Sequence, residues 1–182
     1  DDFRFGTGRE GDFAMLQNQR GMAVARTPSV MVENIRASST AIRQALSDGR
    51  LDYAKKLLGH DYMLSGHVKH GAKLGRTIGC PTANVQLAQY NYALSGVFVV
   101  EAEGAFGKKR GVASFGFNPT VSASRRQKLE VHVFDFEGDL YGQRLNVRFL
   151  HKLRDEEKFD SIEALQAQIW ADMDAARHWV AA

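Results

Sequence analysis

The sequence predicts a mainly β protein: an antiparallel barrel or sandwich with a helix at its C-terminal end and an α-rich segment ahead of it. Three observations carry this. From about residue 62 short β-type runs recur at close spacing, no helical pattern separates them, and after residue 160 the apolar period becomes helical. Six short strands in that arrangement favour an antiparallel barrel or sandwich over a βαβ sheet, and closure removes exposed strand edges.

Residues 1–36 are mixed, with Gly and Arg frequent at the start and short apolar clusters such as Phe13-Ala14-Met15-Leu16. Ser38-Ser39-Thr40 offers hydroxyl caps before Ile42, Ala45 and Leu46, and Asp48-Gly49 stops that helix. A second helix is expected over Leu51 to Leu58, with Gly59 as its C-terminal cap, so that the two make a helical hairpin. Strands follow at Tyr62–Lys69, Val85–Leu87, Gly96–Glu103, Arg110–Phe117, Leu129–Phe136 and Leu145–Leu150, punctuated by turns such as Glu137-Gly138-Asp139. In the last helix Asp160 and Glu163 have capping-box spacing, and Ile162, Leu165, Ile169 and Met173 share one face.

Composition narrows the function classes. The 182 residues carry 24 Lys+Arg against 21 Asp+Glu, a net charge of +3 that is too weak to imply nucleic acid by itself. The 44% hydrophobic and 25% charged fractions argue against disorder. No apolar run is long enough to span a bilayer as a helix. A single cysteine, Cys80, can form neither an internal disulfide nor a zinc cluster, and beside Pro81 it reads as a small buried hydrophobe. The scattered histidines make no metal pair. The chain opens Asp1-Asp2-Phe3 without Met and reads like a fragment.

Four motifs bear on chemistry. Gly6-Thr7-Gly8-Arg9-Glu10-Gly11 spells GxGxxG, but it lacks the preceding strand and well-spaced acidic residue of a dinucleotide site. Gly71, Gly75 and Gly79 with Lys73 and Arg76 between them can wrap phosphates, or can equally be a mobile hairpin connection. Thr82 and Asn84 are two apart and face one side of an extended strand; a hydroxyl and an amide oxygen suit Mg²⁺, or form a merely polar strand face. Glu130, in a run whose two faces both look largely apolar, is expected to be partly desolvated and to gain the basicity of a general base, unless it points outward at a rim.

Gly66-His67-Val68-Lys69-His70-Gly71, Gly75-Arg76 and Pro81-Thr82-Ala83-Asn84 resemble the riboflavin kinase module of bacterial bifunctional riboflavin kinase/FMN adenylyltransferases. The resemblance continues through Gly111-Val112-Ala113-Ser114-Phe115-Gly116, Leu129-Glu130-Val131-His132, Leu140-Tyr141-Gly142, Leu153-Arg154 and Lys158-Phe159. Asp2-Phe3-Arg4-Phe5-Gly6 and Ser38-Ser39-Thr40 with Ile42-Arg43 are similar to parts of the adenylyltransferase domain, whose early HxGH-type motif is absent from this chain. The resemblance implies an incomplete adenylyltransferase segment over 1–57, retaining Ser38, Ser39, Thr40 and Arg43, and a riboflavin kinase over 58–182.

It further implies a six-stranded Greek-key barrel in a cytoplasmic enzyme. Its substrates would be ATP and riboflavin, its products ADP and FMN, and its metal Mg²⁺, with no nucleic-acid or membrane partner. Gly71, Lys73, Gly75, Arg76, Gly79 and Thr82 would meet ATP, Thr82 and Asn84 the metal and phosphates, Glu130 the hydroxyl proton, and Arg154 flavin or phosphate. Cys80 and Ser114 depart from the residues common in that family. A small basic barrel that grips nucleic acid, and a flavin-binding remnant without turnover, are the competing readings.

Overall fold

The structure, a computed structural model, describes residues 3–71, 75, 79–88, 91–117 and 127–181. It divides into two compact units, Asp1–Met31 and Val32–Ala182. In the first, Phe5 and Gly11 exchange backbone hydrogen bonds of 3.0 Å around a 3₁₀ turn, Thr7–Arg9, with Gly6 and Gly8 at positive φ. The GxGxxG stretch is therefore a closed loop, without the strand-to-helix turn a dinucleotide fingerprint needs. Asp12 then caps α1 (Phe13–Gln17) by accepting from the Met15 amide at 2.9 Å. A two-stranded ribbon follows in sequence, β1 (Met31–Val32) with β2 (Ile35–Arg36).

The helical hairpin forms as its punctuation predicts. Ser38 caps α2 (Ser39–Ser47), its hydroxyl accepting from the Ala41 amide at 3.2 Å. Gly59, left-handed at φ 79°, ends α3 (Leu51–Leu58) by donating to the Lys55 carbonyl at 2.8 Å. The apolar faces of both helices, Ala45, Leu46, Leu51 and Ala54, join the same buried cluster as the barrel interior. The contact boundary lies at Met31/Val32, a division by packing, distinct from the expected division by resemblance at 57/58.

Six antiparallel strands close into the barrel: β3 (Met63–Lys69), β4 (Ala83–Gln86), β5 (Gly96–Gly104), β6 (Gly107–Phe117), β7 (Gln127–Val133) and β8 (Arg144–Arg154). Their order, β3-β4-β7-β6-β5-β8, sets β4 beside β7, the crossing connection of a Greek key. Strand alternation sorts the residues. Phe98, Phe115 and Phe149 meet inside at ring distances of 5.3 and 6.1 Å, each contributing on the order of 2 kcal/mol by burial. At one end Gln127 pins the chain before β5, accepting from the Tyr92 amide at 2.7 Å and donating to the Tyr92 and Leu94 carbonyls at 3.1 Å.

The C-terminal helix, α4 (Ile162–His178), lies against the outside of the barrel over Val97, Val99, Val112 and Phe134. Two details differ from the sequence expectation. The cap is Ser161, whose hydroxyl accepts from the Ala164 amide at 3.1 Å, because Ser161 and not Asp160 holds the extended conformation that ends the preceding strap. The buried face runs through Asp172 and Ala176, with Met173 beside them, while Ile162 in the first turn is 61% exposed.

Candidate active site

Strand pairing builds the site on the outer face of β4, β7 and β6. Ala83, Val85, Leu129, Val131, Ala113 and Phe115 point inward and are buried. Their neighbours Thr82, Asn84, Glu130 and Ser114 therefore point out. In register, Lys69 stands opposite Asn84, Asn84 opposite Glu130, and Glu130 opposite Ser114. Directly opposed residues have Cβ atoms about 5 Å apart, so these side chains share one small patch. Thr82 reaches Glu130 as well, its Oγ1 donating to Oε2 at 3.4 Å. Glu130 is half-buried, and its flanking residues on this face are polar, in contrast to the apolar surroundings expected from its own strand alone.

The glycines fit where a side chain would not. A Cβ on Gly71 would stand 2.3 Å from the Asn84 amide nitrogen, and one on Gly75 would stand 2.3 Å from the Cys80 carbonyl oxygen. The Gly75 carbonyl accepts from the Cys80 amide at 2.8 Å. Gly79 is left-handed at φ 78° and faces Trp170 of α4, its hypothetical Cβ 3.6 Å from the indole. Lys73 and Arg76 lie outside the described residues. Cys80 is buried, and desolvation, then the charge of Glu130, pushes its thiol up to about 11.

Beside Thr82 lies a pocket of mixed polarity, lined by Val68, Val133, Phe136 and Tyr141 together with Thr82 and Asp139. The 136–143 turn forms its wall. Asp139 accepts from the Tyr141 amide at 2.8 Å, and the Tyr141 ring lies 3.8 Å from that of His70. A planar base could enter here with its phosphates directed at Thr82.

Arg154 ends β8 in a cluster of carboxylates. Its Nε and Nη2 donate to Asp172 at 2.9 and 2.8 Å, and Nη1 donates to the Asp155 carbonyl at 3.0 Å and pairs with Glu157 at 3.2 Å. The Asp172 hydrogen bond pushes the guanidinium pKa further up, while burial opposes it. This makes Arg154 the tie between β8 and α4. Ser38, Ser39, Thr40 and Arg43 sit on α2 and its cap, and the Ser38 hydroxyl is engaged as that cap.

Three contributors escaped the sequence reading. The His132 ring, through Nδ1–H, donates to the Pro81 carbonyl at 2.8 Å and fixes the turn that presents Thr82. Asp172 is a buried carboxylate on an otherwise ordinary helix. Glu156 folds back over β6. Cross-strand register is the signal that could have found Ser114, since it faces Glu130, but no local pattern marks Glu156.

The chain matches the family model described as "Flavokinase: Riboflavin kinase" over residues 58–180. The chain belongs to the riboflavin kinase family. It is 48% identical over 184 residues to the bifunctional riboflavin kinase/FMN adenylyltransferase of Escherichia coli (strain K12), covering 98% of this chain and 58% of that protein. The counterpart in Pseudomonas fluorescens is 45% identical over 180 residues, covering 97% of this chain and 58% of that protein. The chain thus spans under three fifths of the length of these curated relatives. Among solved structures, a Streptococcus pneumoniae crystal structure described as a macrolide-efflux protein superposes with a TM-score of 0.76 at 39% identity, over 98% of this chain and 59% of that one.

The nucleic-acid alternative is not favoured. Tyr92 packs on Phe115 and Phe106 on Phe136, so these aromatics are turned into the fold and not outward as stacking platforms. The basic run is also engaged: Lys108 lies 3.8 Å from Glu101, Lys109 donates to the Asp135 carbonyl, and Arg110 lies over Trp179. Among the described residues no helix is long and apolar enough to cross a membrane.

Proposed function

We propose that this chain transfers the γ-phosphoryl group of ATP to the 5′-hydroxyl of riboflavin, giving FMN and ADP. One observation carries the reading: strand register gathers a carboxylate, Glu130, with a hydroxyl, Thr82, and an amide, Asn84, on one face beside a pocket suited to a nucleotide base. Phosphoryl transfer asks mainly for positioning and charge neutralisation, together with a base for the attacking hydroxyl. Glu130 accepts the hydroxyl proton as the oxygen attacks phosphorus. The pocket beside Thr82 holds the base, and Gly71, Gly75 and Gly79 let backbone amides close over the phosphates, with Lys73 and Arg76 as their cations.

Mg²⁺ suits this donor set. Thr82 Oγ1 and the Asn84 carbonyl oxygen are hard ligands next to a carboxylate, and a Mg²⁺ ion that keeps most of its waters needs no more from protein. When bound there it neutralises phosphate charge. Glu130 opposite Asn84 then stands on the flavin side of the phosphates, and Ser114 beyond it. Adenylyl transfer, named for the longer relatives, is assigned to parts of those proteins beyond this chain; Ser38, Ser39, Thr40 and Arg43 supply only a piece of such a site. The test is direct. Purified chain incubated with riboflavin, ATP and Mg²⁺ is expected to form FMN on chromatography, and failure with every divalent ion would refute the proposal.

A further inference from the structure

The strap between β8 and α4 carries a carboxylate to an unusual place. Glu156 lies over Gly116 on the outer face of β6, so close that a Cβ on Gly116 would collide with both carboxylate oxygens. Ser114 Oγ lies 3.5 Å from Glu156 Oε1, and the Phe117 amide donates to the same carboxylate. The residue as a whole is exposed, but its carboxylate end is tucked against the sheet, and this desolvation pushes its pKa up against those hydrogen bonds. Ser114 is the cross-strand partner of Glu130. Glu156 is therefore the next acceptor along the patch after Glu130 and Ser114, on the side away from Thr82 and Asn84.

We propose that Glu156 binds riboflavin by accepting hydrogen bonds from its ribityl hydroxyls, and so sets the direction in which the polyol runs from Glu130. The inference rests on the kinase reading. The terminal hydroxyl must lie at Glu130, with the phosphates on the Thr82–Asn84 side. The remaining hydroxyls then extend the opposite way, over Ser114 and toward Glu156. Hydroxyls are donors, and a carboxylate with about four lone-pair sites that takes one backbone amide and one weak serine hydrogen bond at 3.5 Å has acceptor capacity left. Gly116 keeps this perch free of side chain.

The experiment measures riboflavin and lumiflavin binding by flavin fluorescence, with FMN formation, for wild type, Glu156→Gln and Gly116→Ala. Lumiflavin keeps the ring system and lacks the ribityl chain. Losing hydrogen bonds to a charged acceptor predicts riboflavin affinity weakened about tenfold or more in Glu156→Gln, with lumiflavin affinity and the ATP KM unchanged. Gly116→Ala leaves the carboxylate in place chemically but displaces it, and is expected to reproduce the riboflavin defect. Its strand conformation admits alanine. Unchanged riboflavin affinity in both variants, tighter binding, or an equal loss for riboflavin and lumiflavin would overturn the proposal; the last would mark a purely structural strap. If the wild type forms no FMN, the kinase reading fails; if it forms FMN and the variants bind riboflavin like it, only the role of Glu156 does.

Discussion

Replacing Gly71 by alanine separates catalysis from stability. The added methyl would stand 2.3, 2.6 and 2.7 Å from the nitrogen, carbon and oxygen of the Asn84 amide. Ordinary contact begins near 3.4 Å, so the amide must retreat by about 1 Å, the scale of displacement that costs a positioned group roughly 10²-fold in rate. The backbone at Gly71 is not left-handed, so alanine adds no strain there and restricts the unfolded chain, a gain of about 0.4–1 kcal/mol before the displaced amide is counted. FMN formation is therefore expected to fall by about 10²-fold at saturating substrates. The Mg²⁺ concentration needed for half-maximal rate should rise, while the melting temperature barely moves. Assays across a Mg²⁺ series, with circular-dichroism melts of the same preparations, check this. A kcat within about threefold of wild type, with the same Mg²⁺ requirement, would refute the assignment of Asn84.

Glu130→Gln should leave flavin and nucleotide affinity largely intact and lower turnover by roughly 10²–10⁴-fold, read from steady-state FMN production. Asp172→Ala leaves the Arg154 guanidinium without its bidentate partner and is expected to lower stability by on the order of 3 kcal/mol in chemical denaturation. Because burial holds the Cys80 thiol near 11, a thiol reagent at pH 8 should modify the folded chain far more slowly than the chain in denaturant. Equal rates in the two conditions would contradict that burial.

The barrel was legible where one strand face meets solvent: Leu129, Val131 and Val133 against Glu130 and His132 needs nothing beyond the period of two, whereas β5, covered by α4 on its outer face, is buried continuously from Gly96 to Val100. The hairpin helices were legible because Ser38 and Gly59 act locally, within one turn of the backbone they cap. The start of α4 was displaced by one residue because Asp160 and Ser161 are both competent caps, and Ser161 is the one whose hydroxyl reaches the Ala164 amide. Glu130, Thr82 and Asn84 were each visible, but their meeting was not, since it depends on β4 pairing with β7 across a crossing connection. Glu156 and Asp172 were out of reach for the same reason: their significance comes from partners on other strands. The boundary at 57/58 followed resemblance, whereas packing follows apolar surface.

That last difference bears on how the molecule can be cut and tuned. The pair α2–α3 belongs by resemblance to one catalytic module and by its buried side chains to the other, so it acts as a shared foundation stone. Ion pairs extend the bond outward, with Lys55 of α3 at 2.9 Å from Asp61 and Arg148 of β8 joining Asp61 to Glu101. A chain begun at residue 58 would lose Ala45, Leu46, Leu51 and Ala54 from the buried cluster they share with the barrel, while one begun near Val32 would keep them. The packing unit is thus larger than the family signature, and Ala45 and Leu46, outside that signature, share a core with the strands that carry the candidate site.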